Sequence, residues 1–422
     1  DKDYTFRQNI YNELIYQYFR YLNHVIYNIG GIYINQRYDG DPLPFYEPVP
    51  REKQERALRF MLAQLKDMDR LVEILAQKIR KQVHIRIIGD YDVDGVTSSH
   101  LFLTALRRVG AKVDVVIPHR IQDGYGLSLH LLQQAKEDGV DTILTCDNGI
   151  AAIDEIAWAK AQKMTVLVTD HHAVPFEEHE GRRTEKKSLA DAVVNPHQQD
   201  CGYPYKELCG AGVAWNVIRV LYENYDMDKR EAEDLLDFVA MATVCDVMSL
   251  TGENRILVKE GLKRIRHTKN IGLQALMQAC NVQPENISAY HFGYVLGPCV
   301  NATGRLDTAR HALRLFETGQ ETEAEEIARD LVDLNQERKE LTLQGVEMAK
   351  KLCEEGGYEN DPVLVLFLPD VHESIAGLIA GRIREMYNRP VFVLTRGEEG
   401  VKDRKDRRWL HHLRRCGHPE SL

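Results

Sequence analysis

The sequence predicts an α/β fold: a mostly parallel sheet flanked by helices, then a long connector helix, then a smaller and incomplete α/β unit. Three observations carry the prediction. Apolar runs of strand length alternate with segments of helix length, which is the pattern of βαβ units. Acidic or histidine clusters stand at the ends of those runs, where such sheets place their ligand crevice. Beyond them, one charged amphipathic stretch runs from about Glu321 to Cys353, too long for an ordinary globular helix.

Residues 1–55 are rich in Tyr, Asn and Ile and close on Pro42, Pro44, Pro48 and Pro50, so they read as an irregular N-terminal appendage. From Arg51 to Lys81 the spacing of Leu58, Met61, Leu62, Leu65, Leu71, Ile74, Leu75 and Ile79 is helical, and one or two helices are expected there. Strands are expected at 84–89, 112–117, 141–146, 164–169 and near 192–194, with helices at 96–109, 128–137 and 151–162 between them. Residues 205–290 read as mainly helical, through Val213, Val217 and Leu221 and again through Leu235, Phe238 and Val239. In the long helix Ile327, Leu331, Leu334, Leu341, Val346 and Leu352 form the apolar stripe, and Gly356-Gly357 ends it. Val363 to Phe367 begins the second α/β unit. The expected division is therefore an appendage over 1–55, a sheet domain over 56–318, a connector helix over 319–356 and a partial second domain over 357–422.

With 422 residues and 44% hydrophobic content, the chain has enough apolar material for two or three cores. No apolar run approaches the roughly 18 residues that span a bilayer, and no secretory leader pattern opens the chain. A cytoplasmic protein with no membrane partner is expected. The eight cysteines are scattered without a C-x-x-C pair, which argues against a zinc ribbon or a redox dithiol, and several look like small core residues. A net charge of -10 excludes a uniformly basic nucleic-acid coat but leaves room for a local basic groove.

Four clusters carry the chemistry. The first follows the apolar run Ile85 to Gly89 and places Asp90, Asp92 and Asp94 at alternate positions, with Gly95 allowing a tight turn and Thr97-Ser98-Ser99 opening a helix. Turn and cap preferences explain one aspartate but not three, because like charges gathered behind a buried strand need a compensating cation. Asp147-Asn148-Gly149 ends the next run and would pass alone for a turn. Asp170-His171-His172 is harder to dismiss: a lone histidine is commonly a core residue, but two adjacent imidazoles at a strand end are metal-ligand material. Asp246 ends the apolar run from Ala240 and is weak by itself. Mixed carboxylates and imidazoles suit Mn²⁺ or Mg²⁺, and two such ions sharing an aspartate can activate water for in-line displacement at phosphorus.

Taken together, the clusters resemble the metal-site motifs of the DHH phosphoesterase superfamily, and their surroundings resemble its RecJ branch of single-strand-specific exonucleases. Gly124-Tyr125-Gly126-Leu127, Val194-Asn195-Pro196-His197, Leu208 to Ala214, Glu253-Asn254-Arg255 and Gly297 to Arg305 extend the likeness over about residues 66–396. The resemblance implies a DHH domain with Asp92, Asp94, Asp147, His171 and Asp246 as metal ligands, Asp147 bridging two Mn²⁺ or Mg²⁺ ions. It places Asp90 and His172 beside them as catalytic or substrate-holding groups, and Asp170 behind the histidines as their orienter. The segment His372 to Arg382 is similar to the start of the DHH-associated domain, which grips the strand. Its small residues and helix N-terminus suit a phosphate cradle as well as they suit close packing. Arg120, Asn301, Arg305, His372 and Arg382 are the implied substrate contacts, although an arginine also serves as a cap or an ion-pair partner.

The implied activity is metal-dependent 5′-to-3′ exonuclease cleavage of single-stranded DNA in repair and recombination, by a monomer that works with a single-strand-binding protein or a helicase. Two alternatives stay open: a relative acting on short oligonucleotides or cyclic dinucleotides, and a non-catalytic nucleic-acid-binding scaffold. The sequence departs from the family after Thr395, where the basic run Lys402 to Arg408 stands in place of a Gly-Ser-rich loop, and the oligonucleotide-binding barrel of longer RecJ proteins is not expected within these residues.

Overall fold

A computed structural model describes Arg59 and residues 61–396, apart from 121–122, 180–181 and 359–360; the expected appendage and the basic run lie outside the described residues. The first regular element is α1 (Met68–Arg80), whose Leu71, Val72, Leu75 and Ile79 are buried at helical spacing. There follow β1 (Ile85–Ile88), α2 (Val93–Arg108), β2 (Val113–Val116), α3 (Leu129–Glu137), β3 (Thr142–Cys146), α4 (Ile153–Ala161) and β4 (Thr165–Thr169). A hairpin of β5 (Phe176–His179) and β6 (Arg182–Glu185) precedes β7 (Ala192–Val194). No expectation covered this hairpin; all four residues of β5 are exposed, so it carries no core pattern to read.

The five-stranded sheet has the order β2-β1-β3-β4-β7 and every pairing is parallel. Its strands are apolar on both faces because both faces are covered. Ile87, Leu144 and Leu167 pack with α1 and α2, whereas Ile88, Ile143, Val166 and Val168 pack with Leu131, Leu132 and Ile156 of α3 and α4. Cutting one of these fully buried side chains back to alanine costs about 2–5 kcal/mol. The chain leaves β1 towards β2 on one side and returns past it to β3 on the other, so the strand order reverses between β1 and β3. Ligands of such sheets bind at that switch point, beyond the carboxyl ends of the strands.

A helical layer follows, made of α5 (Gly210–Asn224), α6 (Lys229–Glu233), α7 (Leu236–Cys245), α8 (Gly252–Arg264), α9 (Ile271–Ala279), α10 (Gly297–Leu306) and α11 (Ala309–Glu317). Just before α10, Phe292–Leu296 is π-helical. Pro298 explains it: proline has no N–H to donate and its ring crowds the carbonyl four residues back, so the helix widens there. Helix α12 (Glu321–Gly356) runs on to a second core, where Val346, Ala349 and Cys353 meet β8 (Leu364–Phe367), α13 (Glu373–Tyr387) and β9 (Val391–Leu394). β8 and β9 are parallel, with α13 as their crossover. Five of the seven described cysteines are buried, and Cys280 and Cys299, distant in sequence, bring their thiols to 3.8 Å.

Candidate metal centre

Strand β1 ends in Asp90, and the chain turns at once into α2. Contrary to the expected start at residue 96, the helix begins at Val93, so Gly95 lies in its first turn and not in a preceding loop. The reason is Asp92, which caps the helix by accepting a 3.0 Å hydrogen bond from the Gly95 N–H. A β-carbon on Gly95 would stand 2.5 Å from the Asp90 backbone, so only glycine lets the helix start this close to the strand. Asp94 is buried within α2 and accepts hydrogen bonds of 2.6 and 2.7 Å from the Gly210 and Ala211 N–H groups. Those groups open α5, where the helix dipole favours an anion.

Asp147 follows β3 with φ of +60°, a left-handed conformation that a non-glycine residue adopts at a cost. It is held there from both sides. Its N–H donates to Thr169 O at 3.1 Å, and a β-carbon on Gly210 would stand 2.7 Å from the Asp147 Cβ. Asn148 does structural work by donating to Ile88 O and Cys146 O, which ties the ends of β1 and β3 together. After β4, Asp170 accepts from the backbone N–H groups of His171 and Ile150, and its Oδ1 lies 2.7 Å from His172 Nδ1. Burial pushes the Asp170 carboxyl up, but the His172 hydrogen bond and the charge of both histidines bring it below the usual range. His172 Nε2 in turn lies 2.9 Å from the Tyr125 hydroxyl. With Asp170 ionised, His172 carries its proton on Nδ1 and accepts from Tyr125 at Nε2.

These elements bring Asp90, Asp92, Asp94, Asp147, His171, His172 and Asp246 into one cluster at the switch point. His171 Nε2 stands 3.0 Å from Asp147 Oδ1, 3.5 Å from Asp246 Oδ2 and 3.6 Å from Asp94 Oδ2. Three groups of ligand atoms lie close enough to share an ion: Asp147, His171 and His172; Asp94, His171 and Asp246; and Asp90, Asp92 and Asp147. Asp147 and His171 each belong to two of them. Both Asp90 oxygens, Asp147 Oδ1 and His171 Nε2 are buried with no hydrogen-bond partner. Burial and the neighbouring Asp92 push the Asp90 carboxyl far up. Burial and four further aspartates, Asp94 first, do the same to Asp147. Burial likewise lowers His171 despite the Asp94 charge opposite it. Buried polar atoms without partners are expensive, and converging oxygens and an imidazole nitrogen fit a hard divalent cation.

The expected substrate contacts fall in two places. Asn301 Oδ1 accepts from the Val93 N–H at 3.1 Å, which is a structural task at the start of α2. Arg120 lies 4.6 Å over the Tyr91 ring, and Arg305 donates to Ser374 O at 2.7 Å, joining the end of α10 to the first turn of α13. Burial, with Arg120 and Arg338 nearby, lowers Arg305 to about 10. His372 caps α13, with Nδ1 2.6 Å from Ser374 Oγ. Arg382 lies farther along α13 and adds its charge to Arg338 of α12, whose guanidinium is lowered chiefly by burial. Among the described residues, none of Arg120, Arg305, Arg338 and Arg382 forms an ion pair with a carboxylate. A β-carbon at Gly377 or Gly381 would meet nothing within 4 Å, so that face of α13 is open and not close-packed. Arg338 and the Tyr125 contact escape the sequence; the Gly-Tyr-Gly spacing was the one available sign of the latter.

A fully covered parallel sheet with a carboxylate and imidazole cluster at its switch point defines a class: doubly wound α/β proteins built to gather divalent cations beyond the strand ends. Residues 84–243 match the model described as the DHH family, N-terminal domain. The chain is 36% identical over 362 residues to the single-stranded-DNA-specific exonuclease RecJ of Haemophilus influenzae, covering 82% of this chain and 61% of that protein. A solved structure of exonuclease RecJ bound to manganese is similar with a TM-score of 0.68 at 32% identity, covering 79% of this chain and 81% of that one. RecJ of Thermus thermophilus in complex with Mn²⁺ is similar with a TM-score of 0.66 at 31% identity, covering 79% of this chain and 47% of that one. The chain belongs to the RecJ branch of the DHH family. It spans between 41% and 62% of the length of the curated relatives it matches. A second model, described as Met-zincin, matches residues 1–105, a segment without an H-E-x-x-H pair.

Proposed function

We propose that this chain is a Mn²⁺- or Mg²⁺-dependent phosphodiesterase that releases nucleotides from the 5′ end of single-stranded DNA. The observation that carries the proposal is the set of buried atoms without hydrogen bonds on Asp90, Asp147 and His171 at the meeting point of three ligand groups. The names and bound ions of the RecJ relatives support the substrate and the metal. Asp92, Asp94, Asp147, His171 and Asp246 would hold the ions, with Asp147 shared; when bound, the ions supply an activated water and neutralise charge at the phosphate.

The chain's own residues supply the rest. Asp170 fixes the His172 ring at the edge of the cluster, with the Tyr125 hydroxyl donating to its Nε2; with Nε2 protonated, the ring can instead donate to a phosphate oxygen there. Arg305 and Arg120 offer positive charge beside Tyr91 for the sugar-phosphate backbone. The open glycine face of α13, with Arg382 and Arg338, continues that charge into the second core, where the backbone can approach closely. The expected boundaries at 56, 319 and 357 belong to the same proposal, supported by the separate core around β8, α13 and β9. So do a monomeric state, a cytoplasmic location and cooperation with a single-strand-binding protein or helicase. Among the described residues no helix is long and apolar enough to cross a membrane.

The test is metal-dependent release of mononucleotides from 5′-labelled single-stranded DNA beside duplex, RNA and dinucleotide substrates. Release from the single strand alone is expected. Preferential turnover of the dinucleotide would overturn the substrate assignment, and full activity in chelator would overturn the metal centre.

A further inference from the structure

Tyr290, in the helical turn Ala289–His291, and Tyr294, in the π-helical stretch that follows it towards α10, are exposed aromatic side chains with relative exposures of 61% and 73%. Their rings are stacked, 5.2 Å apart at 21°. Four residues apart on a helix, they share one face, and nothing described in the protein covers it. Core packing does not account for two large rings held parallel in solvent.

Their position does. The segment beneath them lies directly on the last turn of α7: Cys245 Sγ donates to Phe292 O at 3.3 Å, and a β-carbon on Gly293 would stand 3.4 Å from Val244 Cγ1. The next residue is Asp246, whose carboxylate faces His171. Val247 follows, 87% exposed and at φ of +57°, a conformation a β-branched residue rarely adopts. The tyrosine pair is therefore carried by the segment that packs on Val244 and Cys245, the two residues before Asp246. From there α10 runs past the cluster to Arg305 and the other arginines without a carboxylate partner among the described residues, so charge for phosphates lies at one end of α10 and a stacking surface at the other.

We propose that Tyr290 and Tyr294 form a base-stacking platform that holds the nucleobases on the Asp246 side of the scissile phosphate. The occupant is a single strand, because its bases have free faces whereas those of a duplex are stacked on their neighbours. An aromatic platform accepts any base, since every base offers a π-face, and it selects strandedness without selecting sequence. The inference rests on the nuclease reading, and its test separates the two.

Binding is read without turnover, in chelator, from the quenching of 2-aminopurine placed near the 5′ end of an oligothymidylate and from the anisotropy of the same strand. The Tyr290→Ala, Tyr294→Ala pair should weaken binding by about 10-fold or more and abolish the quenching. The Tyr290→Phe, Tyr294→Phe pair, which keeps the rings and removes the hydroxyls, should bind and quench like the wild type. With metal, the alanine pair should raise KM for the long strand by about 10-fold and leave kcat at saturating strand unchanged. Wild-type quenching and affinity in the alanine pair, or their loss in the phenylalanine pair, would overturn the platform. Ring-dependent quenching in a wild-type protein that hydrolyses nothing would uphold the platform and overturn the nuclease reading.

Discussion

Two charged clusters lie at opposite ends of β1 and follow opposite rules. At its beginning Arg86 is nearly buried, and its Nη2 lies 2.6 Å from Asp114 while its Nη1 lies 2.7 Å from Asp138; His84 adds a third contact, 3.1 Å from Asp114. The Arg86 hydrogen bond, against the upward push of burial, holds Asp114 below the usual carboxylate range. At the strand's other end Asp90 and Asp147 are buried without a well-formed hydrogen bond to either Asp90 oxygen or to Asp147 Oδ1, and both carboxyls are pushed up. The first cluster is complete in itself and its contribution is stability. The second is complete only with a cation, so its groups raise the free energy of the metal-free fold and are kept for chemistry. A buried charge therefore reports function when its partners are missing, not merely because it is buried.

The largest expected effect comes from deleting the shared carboxylate. Asp147→Ala should lower mononucleotide release from single-stranded DNA by about three orders of magnitude or more while leaving the metal-free protein folded. Circular dichroism beside a single-turnover assay checks both halves, and an active variant would erase the contrast between the clusters. Arg86→Ala should do the reverse. Breaking a buried pair costs about 3–5 kcal/mol; with Asp114 39% exposed, about 2 kcal/mol is expected in urea unfolding, with turnover of the folded fraction retained.

The pH dependence sharpens the same contrast. Asp90 and Asp147 have folded-state values above their unfolded ones, so in chelator the native state holds extra protons and stability falls as pH rises above about 4. Asp114 is depressed, so its contribution is present above about 4 and lost as pH falls through its lowered value. Melting temperature in chelator should therefore decline from pH 5 to pH 7.5, less so in Asp147→Asn, and Mn²⁺ should remove the decline. The smallest effect is expected from Arg338→Ala: a KM for long strands raised several-fold, with kcat unchanged and the salt slope of binding reduced by about 1.

Much of this was legible in the sequence because it is local. Strands β1, β3 and β4 are apolar runs with an abrupt polar end, and Asp90, Asp92, Asp147 and His171 sit at those ends. What stayed hidden joins segments far apart in the chain. The Tyr125 contact to His172, the backbone groups of Gly210 and Ala211 on Asp94, and the approach of Arg305 to Ser374 leave no periodic trace. The start of α2 was misplaced for a related reason: Asp92 is both a cap and a candidate ligand, and a carboxylate assigned to a metal looks like loop. The exposed β5–β6 hairpin had no core face to announce it.

The most direct test of the central claim, that the cluster beyond β1 and β3 is a divalent-cation site whereas the one before β1 is structural, is a calorimetric Mn²⁺ titration of the wild type, Asp147→Ala and Arg86→Ala. Saturable binding is expected in the wild type, a loss of at least about 10-fold in affinity or of one ion in Asp147→Ala, and wild-type binding in folded Arg86→Ala. No saturable binding by the wild type, or equal affinity in Asp147→Ala, would contradict it.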